Sequence, residues 1–154
     1  MTKVVSCVTG GATRAESVRS ALGDVGENAL VVLVHDAARP LVSDEIVERV
    51  LAPLSQGYDG VVPALPVPDT LKRVEEGIVV ETVPRARLFG AQTPQAFLAT
   101  PLRGAYDDDI SDATDCASLV ERRGGRIAVV EGDPRLLKVT TPADLSLVEA
   151  LLAS

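Results

Sequence analysis

Short apolar runs alternate with amphipathic stretches through most of this chain. "VVSCV" (4–8), "ALVVLV" (29–34) and "GVVPAL" (60–65) are rich in Val and carry almost no charge. Runs of that kind suit strands buried on both faces of a mostly parallel sheet. Between them, "RAESVRSAL" (14–22) places Val18 and Leu22 on one side, and "SDEIVERVLAPL" (43–54) gathers Ile46, Val47, Val50, Leu51 and Leu54 into one stripe. Both patterns predict helices, the second with Ser43 as its N-cap and Asp44 and Glu45 in the first turn, where they suit the positive helix end. Strands alternating with helices predict right-handed crossovers in a three-layer α/β domain.

The rhythm changes after Pro66. "DTLKRVEEGIVVETV" (69–83) alternates apolar and polar residues on both sides of "EEG". An antiparallel hairpin with Gly77 at its turn fits that alternation, and it interrupts the layers as a candidate arm over about residues 66–90. Beyond it the pattern predicts helices at about 95–104 and 114–123, strands "RIAVVEG" and "LLKVT", and a last helix "PADLSLVEALLA" capped by Thr141 with Pro142 in its first turn. With 154 residues, 46% of them hydrophobic, the chain holds one sizeable core and reads as a single domain, 1–154.

Charge and cysteine usage narrow the partners. A net charge of −7 without a Lys/Arg block speaks against non-specific binding to nucleic acid or to a membrane surface, since both are anionic. Cys7 and Cys116 have neither zinc-ligand nor CxxC spacing, which predicts free thiols in a cytoplasmic protein. No run approaches the roughly 20 apolar residues of a membrane span.

Ligands of open α/β sheets bind beyond the carboxyl ends of the strands, so polar residues just after apolar runs are the first candidates. "GGATRAES" (10–17) pairs Gly10 and Gly11, which let backbone approach a ligand, with Ser17 in the first turns of a helix. A tight strand-to-helix turn explains the same glycines. In "HDAARP" (35–40), Asp36 is placed to hold a divalent cation or a ribose hydroxyl, and Arg39 to fork onto a phosphate. The two charges could equally pair with each other, and His35 reads more readily as structural than as catalytic. Thr70, Lys72, Arg85, Arg87, Thr93, Thr114, Asp115 and Lys138 are dispersed polar candidates that matter only if the fold brings them together. Lys138 lies in an otherwise apolar run, where a buried base must surface or meet an anion.

Taken in order, "GGATRAESV", "VLVHDAARP", "LPVPDTLKR", "TVPRARLFGAQTPQAF", "TDCASLVE" and "VEGDPRLLKVTTPADL" resemble the 2-C-methyl-D-erythritol 4-phosphate cytidylyltransferase family from residue 4 onward. The resemblance implies a Rossmann-like, glycosyltransferase-A-like nucleotidyltransferase fold with a protruding arm that helps form a homodimer. It also implies cytidylyl transfer from CTP to methylerythritol phosphate with Mg2+, releasing pyrophosphate, in non-mevalonate isoprenoid biosynthesis. Carried over by motif position, Gly10, Gly11 and Ser17 contact the cytidine, and Asp36 serves the metal and nucleotide, with Ala37 beside it in the substrate-binding set. Arg39 and Thr70 contact the sugar phosphate, Arg85 and Thr93 receive the acceptor phosphate, and Thr114 contacts substrate. Lys138 lies near the reacting groups, with Arg85 the second catalytic candidate.

Two departures stand out. Ala12 occupies a position that is acidic or polar in some members. "MTKVVSCV" does not match the glycine-rich triphosphate loop with which members begin, nor the Arg and Lys that accompany it. The expectation is therefore an N-terminally incomplete domain that transfers nothing by itself. The alternatives are a non-catalytic remnant that keeps dimerisation and sugar-phosphate binding, and a related sugar-phosphate nucleotidyltransferase.

Overall fold

The computed structural model describes residues 3–153. Its central element is β2 (Gly60–Pro66), buried from Gly60 to Ala64. One side of β2 pairs antiparallel with a two-part strand, β5 (Phe89–Ala91) and β6 (Gln95–Leu98), and β6 pairs antiparallel with β1 (Val31–Val34). The other side pairs in parallel with β7 (Ile127–Glu131), so that Val61 faces Ala128 and Val62 faces Val129.

Side chains of successive residues point to opposite faces of this sheet, and the two halves of the core divide accordingly. Phe97 and Val62 meet α1 (Arg14–Asp24), α3 (Ala99–Asp107) and α4 (Cys116–Arg122), with Leu102, Tyr106, Cys116 and Leu119 buried among them. Ala96 and Val61 meet Val50 of α2 (Asp44–Leu51) and Leu54 of the 3₁₀ turn that follows it. Helices on both faces of one sheet give the predicted three-layer α/β sandwich. The predicted caps form as well. Ser43 accepts from the backbone N–H of Ile46, and Thr141 and Asp144 make a reciprocal capping box at the start of α5 (Pro142–Leu152).

Four expectations need correction. The sheet is mixed rather than mainly parallel, because the hairpin β3 (Leu71–Glu75)–β4 (Ile78–Val83) reverses the chain, and the returning strand runs antiparallel beside β2. Residues 95–98 are strand, not helix; there burial follows the two faces of the sheet, and the helix begins at Ala99. "VVSCV" forms no strand: no neighbouring strand receives it, and Val5 is 97% exposed. "LLKVT" also stays outside the sheet; its backbone meets the loop after β1 through the Val139 N–H, which donates to the Ala38 carbonyl at 2.8 Å.

The hairpin matches its prediction. β3 and β4 pair only with each other, the turn passes through Glu76 and Gly77 at positive φ, and Val74, Ile78, Val79 and Val80 are all exposed.

Candidate active site

Where β1 ends, the chain turns sharply, with the Arg39 N–H donating to the Asp36 carbonyl at 2.9 Å. A chain of polar contacts fixes this turn. The Asp36 N–H donates to Thr93 Oγ1 (3.0 Å), and that hydroxyl lies 3.1 Å from His35 Nδ1. The Arg39 carbonyl lies 2.9 Å from His35 Nε2; a carbonyl can only accept, so the Nε2–H tautomer donates there and Nδ1 accepts from Thr93. Both ring nitrogens are thus engaged with the turn, and His35 is a structural histidine. Thr93, buried beside it, positions Asp36.

The Asp36 carboxylate is shared among three cations. Oδ1 lies 3.1 Å from Arg14 Nε; Oδ2 lies 3.2 Å from Lys138 Nζ and 3.8 Å from Arg39 Nε. Burial by itself would raise the Asp36 carboxyl, but hydrogen bonds and charge from Arg14 and Lys138 outweigh it and hold the group below its ordinary range. Arg39 is more enclosed, with its guanidinium donating to the Leu136 carbonyl and its Nε buried without a hydrogen-bond partner. Lys138 is brought in by the segment that follows β7. That segment is anchored by Gln92, whose amide both donates to and accepts from the Asp133 backbone, at 2.9 and 3.0 Å.

A cavity of about 240 Å³ opens over this cluster, lined by Asp36, Arg39, Thr93, Lys138, and Thr114 and Asp115 at the start of α4. Gln95 is also in its wall, with Nε2 on Asp115 at 3.0 Å and Oε1 buried without a partner. A second cavity, about 390 Å³, adjoins it between α1 and β1 and is lined by Ser17, Val18, His35 and Asp36. Ser17 accepts from the Gly11 N–H at 3.1 Å. A Cβ on Gly11 would come within 2.2 Å of Glu16 Cβ, so the glycine is required by the close approach of its own helix start.

Asp36, Arg39, Thr93, Thr114 and Lys138 therefore share one cavity, and Ser17 lies next door with Gly10 and Gly11 beside it. Ala37 is exposed on the turn. Thr70 and Arg85 are not in the cavity. Both sit exposed at the base of the hairpin, where the Arg85 guanidinium donates to the Val67 and Pro68 carbonyls. Arg87 is exposed nearby, and the Lys72 ammonium donates to Thr82 within the hairpin. The sequence pattern gives no role to Arg14, Gln92 or Gln95. Arg14 was visible as a base at the start of a helix that follows paired glycines, whereas the two glutamines carried no signal.

The donor set bears on a metal. A single carboxylate already shared by three cations, with a guanidinium N–H beside it that makes no hydrogen bond, does not fit a divalent cation; it fits an anion. Among the described residues, no cluster of three or more His, Cys, Asp or Glu side chains could hold a metal ion. None of their helices is long and apolar enough to cross a membrane.

The family model described as IspD, 2-C-methyl-D-erythritol 4-phosphate cytidylyltransferase, matches residues 1–154. The chain is 49% identical over 153 residues to the protein of that name from Saccharopolyspora erythraea, covering 97% of this chain and 68% of the relative. It is 49% identical over 151 residues to the one from Nocardia farcinica, covering 97% and 65%. It thus spans about two thirds of the length of either relative. The crystal structure of 2-C-methyl-D-erythritol 4-phosphate cytidylyltransferase from Thermus thermophilus superposes with a TM-score of 0.86 at 42% identity, over 96% of this chain and 73% of that one.

Proposed function

Because the chain belongs to the 2-C-methyl-D-erythritol 4-phosphate cytidylyltransferase family of nucleotidyltransferases, we propose that its cavity serves cytidylyl transfer from CTP to 2-C-methyl-D-erythritol 4-phosphate. In that reaction an oxygen of the acceptor phosphate attacks the α-phosphorus of CTP, a new P–O–P bond forms, and the bond to pyrophosphate breaks. No covalent enzyme intermediate is needed. The protein's work is to hold two anions in line and to offset the charge that develops between them.

The cation cluster suits that work. Lys138 and Arg39 bring charge to the smaller cavity, and Asp36 between them offsets their mutual repulsion when no anion is present. Arg39 Nε, buried and without a hydrogen-bond partner, is a donor that a ligand would complete. Thr114 stands at the rim, placed to hydrogen-bond a sugar-phosphate hydroxyl. On the Ser17 side, the larger apolar cavity is the place for the nucleotide.

The hairpin supports a homodimer. A two-stranded ribbon with four exposed aliphatic side chains is marginal alone, and pairing with a second copy would bury them. Arg85, at the hairpin base and outside its own cavity, would then serve the partner's site.

The observation that carries the reading is the single carboxylate held by three cations at the end of β1. Supplying the protein expressed from its native gene with CTP, methylerythritol phosphate and a divalent cation, and following pyrophosphate, tests it. Product should form and should fall at least about tenfold in Lys138→Met, which removes a charge that stabilises the transferring group. Release that is unchanged in Lys138→Met would reject the assignment.

A further inference from the structure

The three cations around Asp36 are not equivalent. Of the two adjoining cavities, Lys138 and Arg39 border the smaller one and not the larger, whereas Arg14 borders both, and the Arg14–Asp36 pair forms the partition between them. A guanidinium carries five N–H donors. Arg14 uses Nε on Asp36, and one Nη1 donor faces Cys116 Sγ at 3.5 Å. A thiol is a weak acceptor, and burial pushes this one up, away from the thiolate form. The rest of the guanidinium fork meets no acceptor among the described residues, and the side chain is 30% exposed. Three cations meet only Asp36 and, farther along the wall, Asp115. The partition therefore keeps surplus positive charge and unused donors at one point.

We propose that Arg14 is a phosphate-binding residue of the reaction site, whose Nη donors fork onto the phosphoryl group lying at the boundary of the two cavities while Nε stays on Asp36. This rests on the proposed transfer reaction for the identity of that group, the α-phosphate of the nucleotide meeting the acceptor phosphate. The anion-binding role itself follows from the charges and donors alone. A fork matches two phosphate oxygens in a plane, which a lysine cannot do.

Two measurements on the protein expressed from its native gene test this. In calorimetric titration with inorganic phosphate, Arg14→Met should bind roughly tenfold or more weakly than the parent, as for loss of a charge-assisted hydrogen bond. Arg14→Lys, which keeps the charge and most of the stem, should fall between them, and it serves as the test if Arg14→Met does not fold. In pyrophosphate-release assays, Arg14→Met should lower kcat at least about tenfold both in the parent and in an Asp36→Asn background. If Arg14 acted only by holding Asp36, the second cost would vanish. Phosphate affinity equal to the parent's, or a cost that vanishes in the Asp36→Asn background, overturns the proposal. Should the parent release no pyrophosphate, the transfer reading fails, and the phosphate titration still decides the role of Arg14.

Discussion

Asp36→Asn perturbs the cavity at one atom. The amide keeps an acceptor for Arg14 Nε but removes the negative charge lying 3.1 Å from Arg14 and 3.2 Å from Lys138. At an effective dielectric near 20, each of those attractions is about 5 kcal/mol before desolvation. Most of that is offset, because Lys138 is 45% and Arg14 30% exposed and water screens them. Breaking a fully buried pair costs about 3 to 5 kcal/mol and exposed pairs are worth under about 1, so a site between those limits should lose about 2 kcal/mol. In a chain of this size that lowers Tm by about 4 to 8 °C. The larger effect should be on turnover. Lys138 sits on a segment outside the sheet, joined to the β1 loop by the backbone bond at Val139 and by Arg39 on the Leu136 carbonyl, and Asp36 is the side-chain partner of the Lys138 ammonium. Freed from it, the ammonium is displaced from the transferring group, and a misplacement of about 1 Å costs up to about a hundredfold in rate. Circular dichroism melting and steady-state pyrophosphate release read the two effects separately. A variant with Tm within about 1 °C and kcat within about twofold of the parent would refute the anchoring role.

Three further outcomes follow from the structure. The Asp36 carboxyl is held below its ordinary value of 3.8, so its contribution is present above that value and is lost as pH falls through the lower folded value. The Tm difference between parent and Asp36→Asn should therefore be constant near neutrality and shrink only below about pH 3.8; a difference that shrinks between pH 6 and pH 5, roughly the range of an unperturbed histidine, would assign it to another group. In Gly60→Ala the new Cβ would meet Phe97 Cδ1 at 2.4 Å and Ile127 Cδ1 at 2.8 Å. Such overpacking costs about 1 to 3 kcal/mol, and unchanged melting would show that the contact of β2 with β6 and β7 is looser than described. Mixing Arg85→Ala subunits with Lys138→Ala subunits should restore activity through one intact shared site per mixed dimer, and mixed dimers without activity would place Arg85 outside the partner's site.

The strands that lie inside the sheet were legible because "ALVVLV", "GVVPAL" and "RIAVVEG" have strand composition, although only β2 is buried on both faces while Leu33 of β1 and Val129 of β7 are exposed, and the hairpin was legible because alternation and "EEG" agree. Direction was not. Nothing in the run "AQTPQAFL" says that it returns antiparallel between β1 and β2, since that follows from the reversal at Gly77. "VVSCV" and "LLKVT" carry strand composition without a strand partner, and composition cannot supply one. At the site, Asp36, Arg39, Thr93, Thr114 and Lys138 were named from motif position and do converge, although Asp36 meets three cations where a metal was expected. Arg14 was overlooked because its role depends on the distance from α1 to the end of β1. Gln95 was overlooked because an unpartnered amide oxygen is visible only once its surroundings are built.

Transfer of a cytidylyl group to methylerythritol phosphate by this cation cluster is tested most directly by phosphorus NMR of the protein expressed from its native gene, incubated with CTP, a divalent cation and methylerythritol phosphate. The acceptor monophosphate resonance should give way to a paired diphosphate signal while pyrophosphate accumulates in equal amount, and both changes should be suppressed in Lys138→Met. An unchanged monophosphate resonance, or conversion that proceeds equally well in Lys138→Met, would contradict the proposed role.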